Sequence, residues 1–186
     1  MTTRLGPADL AAAAPMELIR AAIAGDTGAF EALIKPRLGR TYRLALAITG
    51  SEHDASDATQ DGWLSAWRQL PTLRDPERFE AWLDRIVVNA CRMLVRRHGR
   101  VRELRMAPDF DAPSEGPGPD TVAERFAMEA AFGRLSVEQR SVLVLHHLQA
   151  RPLSEIAEVM GIPVGTVKSR LHAARAALER ALETDR

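Results

Sequence analysis

The chain has 186 residues, 25 basic and 25 acidic, and so carries no net charge at neutral pH. That balance excludes a uniformly basic nucleic-acid-coating protein, and 46 % apolar residues exclude an acidic, weakly hydrophobic disordered chain. One cysteine, Cys91, excludes an intramolecular disulfide and a cysteine-built zinc site.

The length suits one sizeable domain or two small ones. Near the N-terminus the apolar run Leu10–Ala14 is short and Pro15 follows, so neither a signal peptide nor a membrane helix is expected, and a cytoplasmic location fits. Residues 16–24 read as a short helix stopping at Gly25. Asp26 or Thr27 can cap the next, with Ala29, Phe30, Leu33 and Ile34 at helical spacing, and Pro36 must bend or restart it. Tyr42, Leu44, Ala45 and Ile48 carry a further helix to Gly50. A helix over Asp54–Leu70 places Trp63, Trp67 and Leu70 on one stripe, which favours a core role for the tryptophans. After a loop over Gln69–Arg74, Asp75-Pro76-Glu77 is a strong helix start. The helix from Pro76 to about His98 has an apolar stripe of Phe79, Trp82 or Leu83, Ile86, Ala90 and Leu94 or Met93, and a polar face of Arg85, Asn89, Arg92 and Arg96.

Residues 106–121, with four prolines and two glycines, read as a linker. Thr121–Glu124 and Ser136–Gln139 are possible capping boxes. The remainder is helical to the end, broken near Arg134–Leu135, Gln149–Leu153 and Gly161. The expected fold is all-α: two small helical domains joined by a flexible acidic linker, with a leader over 1–15, domains over 16–105 and 122–186, and the linker over 106–121.

Charge is distributed in blocks along this frame. Glu52, Asp54, Asp57 and Asp61 form an acidic stretch; Arg85–Arg105 holds seven arginines against Glu103; Met106–Glu129 holds six acids against Arg125; Pro163–Arg180 is basic again. Any one block reads as a solvated helix face, but four alternating blocks that coincide with element boundaries point to separate surfaces.

Residues 153–172 fit a helix-turn-helix. Leu153, Ile156 and Met160 face the partner helix, Ala157 is small at the crossing, and Gly161 supplies the left-handed turn residue. Pro163 suits the start of the second helix, which buries Val167, Leu171, Ala174 and Leu178. Lys168, His172 and Arg175 share another face, flanked by Thr166, Ser169 and Arg170. Short polar groups near a helix N-terminus with basic groups beyond are what a recognition helix uses for base edges and phosphates. A purely structural hairpin with a basic face is the competing explanation.

His146, His147 and His172 form no metal set, because adjacent histidines on a helix point apart and no carboxylate completes a site. Asp54 with Asp57 has metal-like spacing, but an exposed docking face fits better. No nucleophile constellation or phosphate loop is present, so no catalytic residue, metal or cofactor is expected.

The stretches DASDATQDGWLSAW (54–67) and FEAWLDRIVVNACRMLVRR (79–97) resemble region 2 of the extracytoplasmic-function (ECF) sigma factors of bacterial RNA polymerase, and 135–175 resembles region 4 of the same family. The resemblance covers about residues 16–182. It implies that region 2 docks on the arginine-rich coiled coil of the polymerase largest subunit through Asp54, Asp57, Gln60, Asp61 and Leu64. Region 2 would also open the promoter −10 element. There the loop Leu73–Phe79, with Arg74 and Arg78, frames a flipped base, Asn89 offers its amide, and Arg85, Arg92, Arg96 and Arg97 hold backbone phosphates. Region 4 would dock on the −35 duplex through Pro163, Gly165, Thr166, Lys168, Ser169, Arg170, His172 and Arg175, and contact the polymerase flap. The acidic linker would enter the RNA path, with Asp109, Asp111, Glu115 and Asp120 imitating nucleic acid. The family's usual further partner is an anti-sigma factor.

Two competing functions remain. A stand-alone helix-turn-helix regulator would bind duplex DNA without polymerase and leaves the region 2 motifs unexplained. A helical enzyme or metal protein would carry a bound metal or cofactor after purification.

Overall fold

The computed structural model describes residues 13–102 and 127–184, and every regular element among them is helical. The expected linker over 106–121, the Thr121–Glu124 capping box and residues 1–12 of the leader lie outside the described residues.

Helix α1 (Pro15–Ile23) ends ahead of Gly25, and α2 (Thr27–Ile34) begins where the Asp26 carboxylate accepts the Ala29 N–H at 3.1 Å. Pro36 sits in a 3₁₀ turn, Lys35–Arg37, that redirects the chain into α3 (Leu38–Thr49). Helix α4 (Glu52–Gln69) starts earlier than the Asp54 expected from the apolar stripe, because the Ser51 hydroxyl caps it by accepting the Asp54 N–H at 3.2 Å. Glu52 and Asp54 therefore occupy the first turn, at the positive end of the helix dipole. Asp75 caps as expected, accepting the Glu77 N–H at 3.0 Å. The Arg78 N–H bonds the Asp75 carbonyl three residues back, so Pro76–Arg78 closes as a 3₁₀ turn and α5 runs over Phe79–Arg102.

The C-terminal unit opens with a helix over 127–133, α6. Helix α7 (Val137–Leu143) has the expected capping box: the Gln139 N–H donates to the Ser136 hydroxyl at 3.2 Å, and the Ser136 N–H to the Gln139 side-chain oxygen Oε1 at 2.9 Å. It widens into a π turn, Val144–Leu148. Helices α8 (Leu153–Met160) and α9 (Val164–Thr184) follow. Between α8 and α9, Gly161 is left-handed at φ 66°. The Ile162 N–H reaches the Ala157 carbonyl at 3.0 Å and the Gly161 N–H that of Glu158 at 3.3 Å, closing α8 in a Schellman motif.

Leu33, Leu44, Ile48, Leu70, Leu83, Val87 and Val88 fill the first core, and Val142, Val144, Leu145, Ile156 and Val167 the second. Trp63 is buried and Trp67 half-buried against Phe30, with ring centroids 6.4 and 4.9 Å away, in the core role expected of them. Of the alternatives on α5, Leu83 and Leu94 are buried while Met93 is exposed. Cys91 is enclosed in the first core, and burial pushes its thiol up to about 12. It should resist iodoacetamide at mildly alkaline pH in the folded chain and react fully once unfolded, as mass spectrometry of the alkylated protein would show.

The two cores are continuous. Helix α5 packs on α7 and α8, and α3 on α7. Arg140 of α7 reaches the end of α3, where its Nη1 donates to the Thr49 carbonyl at 3.0 Å. Gly50 makes this contact possible twice over: it takes φ 73°, and a Cβ there would sit 3.0 Å from the Arg140 guanidinium. A cation at a helix C-terminus satisfies orphan carbonyls and meets the negative end of the dipole.

Candidate nucleic-acid interface

On α4, Gln60, Asp61 and Leu64 are exposed and Asp57 half-exposed, forming one edge. Among the described residues, His53 Nε2 lies 3.7 Å from the Asp57 carboxylate. Asp54 is different: it is turned toward α5 and lies 3.1 Å from His98 Nδ1, so it stands apart from the open edge. Beside the edge, Leu64, Trp63, Tyr42 and Leu38 line an apolar groove between α3 and α4.

A cleft of about 770 Å³ separates α4 from α5. Asp61, Arg68 and Gln69 line one wall; Trp82, Arg85, Asn89, Met93 and Arg97 line the other. The four-residue spacing of Arg85, Asn89, Met93 and Arg97 places them on one stripe of α5. The expected polar face therefore splits. Arg85, Asn89 and Arg97 face the cleft, whereas Arg92 and Arg96 turn toward the C-terminal unit. Arg96 reaches Glu138 at 2.5 Å, and Arg92 Nε lies 3.8 Å from the same oxygen. Asn89 accepts weakly from Arg92 at 3.4 Å, which ties the two stripes together. Arg78 pairs with Glu158 of α8.

One expected DNA contact is corrected. Phe79 is only 2 % exposed, packed against Trp82 and covered by the Arg37 guanidinium 5.4 Å from its ring centre, so it supports the loop from below and presents no face to a base. Arg170 is half-buried beside Arg92, whose pKa falls through burial with help from Arg96 and Arg170. Leu73 is half-buried and Arg74 exposed in the loop before Asp75.

On α9 the exposed face consists of Gly165, Lys168, Ser169, His172 and Arg175, with Pro163 exposed at its lead-in and Thr166 half-exposed. Arg175 contacts His147 Nε2 at 3.2 Å. Burial, His146 and Arg175 all hold His147 below its ordinary pKa. The π turn also corrects one expectation. The rings of His146 and His147, both within it, do not point apart but meet edge to face at 4.7 Å.

Sequence reasoning missed the buried ion cluster that joins the units. Asp84 is fully enclosed; Arg40 Nη2 reaches its two oxygens at 2.7 and 2.8 Å, and Arg151 donates from Nε at 2.8 Å and again from Nη2. Burial pushes the Asp84 carboxyl up from its ordinary value, against the pull of both arginines. Arg40 also holds Gln149 and Glu80, and Arg151 holds Glu155. The available signal was an acid one turn ahead of Val87 and Val88, on a buried stripe.

Among the described residues no helix is long and apolar enough to cross a membrane. Comparison with known proteins agrees with this two-unit architecture. Residues 33–101 match the Sigma-70 region 2 family and residues 125–178 match Sigma-70, region 4. The chain is 37 % identical over 169 residues to the ECF RNA polymerase sigma factor SigM of Mycobacterium tuberculosis, covering 89 % of this chain and 83 % of SigM. It is 34 % identical over 159 residues to ECF sigma factor SigE of Mycolicibacterium smegmatis, covering 81 % of this chain but 62 % of SigE. Its structure is similar to that of CnrH in complex with the cytosolic domain of CnrY, with a TM-score of 0.64 at 28 % identity over 92 % of this chain and 99 % of CnrH. The chain belongs to the ECF group of Sigma-70 RNA polymerase sigma factors. These are regulatory proteins of transcription initiation.

Proposed function

We propose that the unit over 16–105 docks on core RNA polymerase and opens the promoter −10 element, that the unit over 122–186 reads the −35 duplex, and that 106–121 tethers them. The supporting observation is the pairing, in one chain, of an arginine-lined cleft beside an acidic edge with a Schellman-closed helix-turn-helix whose second helix shows a polar, basic face. Asp57, Gln60, Asp61 and Leu64 form the polymerase edge, with Asp54 bracing it through His98. Arg85, Asn89 and Arg97 receive an unstacked strand in the cleft, and Arg74, Arg78, Arg92 and Arg96 extend that basic surface. Pro163, Gly165, Thr166, Lys168, Ser169, His172 and Arg175 meet the −35 groove. The chain acts as a regulator rather than an enzyme, in the cytoplasm where polymerase works. A protein partner of the anti-sigma kind covers the polymerase-binding faces when the factor is idle; CnrH was solved in complex with the cytosolic domain of CnrY.

Reconstituted transcription with core polymerase on genomic templates, read by run-off sequencing, tests this function. Promoter-specific transcripts are expected. Tight duplex binding by the chain alone, without transcripts, would overturn the reading in favour of a stand-alone regulator. Within region 4, Lys168→Ala should weaken duplex binding and flatten the slope of log K against log salt by roughly one unit. An unaltered slope would remove Lys168 from the phosphate contacts.

A further inference from the structure

We propose that duplex binding by the C-terminal unit takes up one proton at His147, which then joins Arg175 in holding a backbone phosphate beside the recognition helix. This rests on the −35 role proposed for α9. Both side chains are exposed, and Arg175 Nη2 lies 3.2 Å from His147 Nε2. Arg175 stands one turn beyond His172 and two beyond Lys168 on the open face of α9, so the π turn brings a histidine to the edge of that face. A guanidinium has no lone pair to offer, so Arg175 donates and His147 Nε2 accepts. The contact therefore exists only while His147 is neutral, with its ring proton on Nδ1.

A phosphate arriving at Arg175 meets the Nε2 lone pair, which repels it. A proton drawn from solvent onto Nε2 turns that acceptor into a donor and breaks its contact with Arg175. Two cations then flank one position, and a phosphate oxygen there accepts a charge-assisted hydrogen bond from each. Without the phosphate the same proton is opposed: burial, His146 and Arg175 all hold His147 below its ordinary pKa. His146 meets the His147 ring at 4.7 Å with its own Nδ1 enclosed, so that atom faces no ligand. Helices α3, α7 and α8 also pack on the π turn. Their charged groups are engaged elsewhere: Arg37 and Arg40 hold Glu80 and Asp84, Arg140 holds the Thr49 carbonyl, and Glu138, Glu155 and Glu158 are each taken by an arginine. Arg43 of α3 lies beside Gly39, and Glu179 follows Arg175 by one turn of α9. A negative phosphate offsets the repulsion from Arg175, so proton and duplex favour each other. Affinity rises as pH falls through the pKa of His147 in the complex and levels off below its pKa in the free chain.

The test uses the full chain and a labelled mixed-sequence duplex, read by fluorescence anisotropy across mildly acidic to mildly alkaline pH at constant ionic strength. The parent should bind about three- to tenfold tighter at the acidic end, within the tenfold per pH step that one linked proton allows. His147→Gln keeps a side chain that can donate and accept but cannot titrate in this range, and it should remove most of that gain. His172→Gln, on the same face, should keep it, whatever its affinity at the alkaline end. Histidine-labelled NMR titrations of the parent should show the His147 ring titrating at higher pH with the duplex than without it. An equal acid gain in His147→Gln and the parent would overturn the proton link, as would a gain lost only in His172→Gln. A His147 ring that stays neutral in the complex, having merely moved its proton from Nδ1 to Nε2, would overturn it too. Arg175→Ala separates this from the −35 reading. If it weakens duplex binding while the acid gain ignores His147, only the proton link fails; if it leaves duplex binding unchanged, the −35 face is misassigned and this proposal fails with it.

Discussion

Replacing Asp84 by alanine is expected to cost the fold about 3 kcal/mol, at the low end of the 3–5 kcal/mol typical when one partner of a buried charged cluster is removed. The carboxylate has no exposed surface and is reached by Arg40 at 2.7 Å and by Arg151 at 2.8 Å from opposite units. Without it the two guanidiniums face each other across a small apolar gap. Arg40 keeps Glu80 and Gln149, and Arg151 keeps Glu155, which is why the loss stays at the low end. For a chain of this length each kcal/mol shifts the melting temperature by about 2–4 °C, so a drop of roughly 6–12 °C is expected in calorimetry. A melting temperature within about 2 °C of the parent would show that Asp84 is not the hub of the interface.

Asp57→Arg should abolish co-purification with core polymerase while leaving the melting temperature nearly unchanged. Asp57 lies on the solvent side of α4, and His53 stands 3.7 Å away on the preceding turn, a contact worth little at an exposed position. The substitution turns one negative charge into a positive one at the N-terminal end of the edge it forms with Gln60, Asp61 and Leu64. Like charges brought together across an interface cost several kcal/mol, a loss of about a hundredfold or more in affinity. Wild-type retention of the variant on immobilised core polymerase would remove this edge from the docking surface. A parallel collapse of its melting temperature would mean that the residue serves the fold instead.

Much of the helical plan was legible because its punctuation is local. Asp26, Pro36, Gly50, Asp75, Ser136 and Gly161 each act on residues within a turn of themselves, and each cap or bend falls where those side chains demand it. The helix-turn-helix was equally legible, since small, left-handed and apolar positions must coincide within twenty residues. The division of the α5 arginines was not. Arg85 and Arg97 face one neighbour while Arg92 and Arg96 face another, and the difference depends on Glu138, some forty positions away. Phe79 shows the same limit: its place beside the loop suggested a base contact, but a core that forms around it decides otherwise. The π turn had no local marker, since Val144–Leu148 is an ordinary apolar run with two histidines.

The contacts that join the two units span long stretches of chain: 67 positions from Asp84 to Arg151, 91 from Thr49 to Arg140 and 109 from Arg40 to Gln149. Those within each unit are helical turns and neighbouring helices. Closing a distant loop carries an entropic cost before any contact repays it, so helices and local pairs assemble first and the seam between units assembles late. Interactions made after the folding barrier govern how fast the native state opens and leave the folding rate almost untouched. The seam around Asp84 is therefore expected to set how fast the folded chain unfolds far more than how fast it folds.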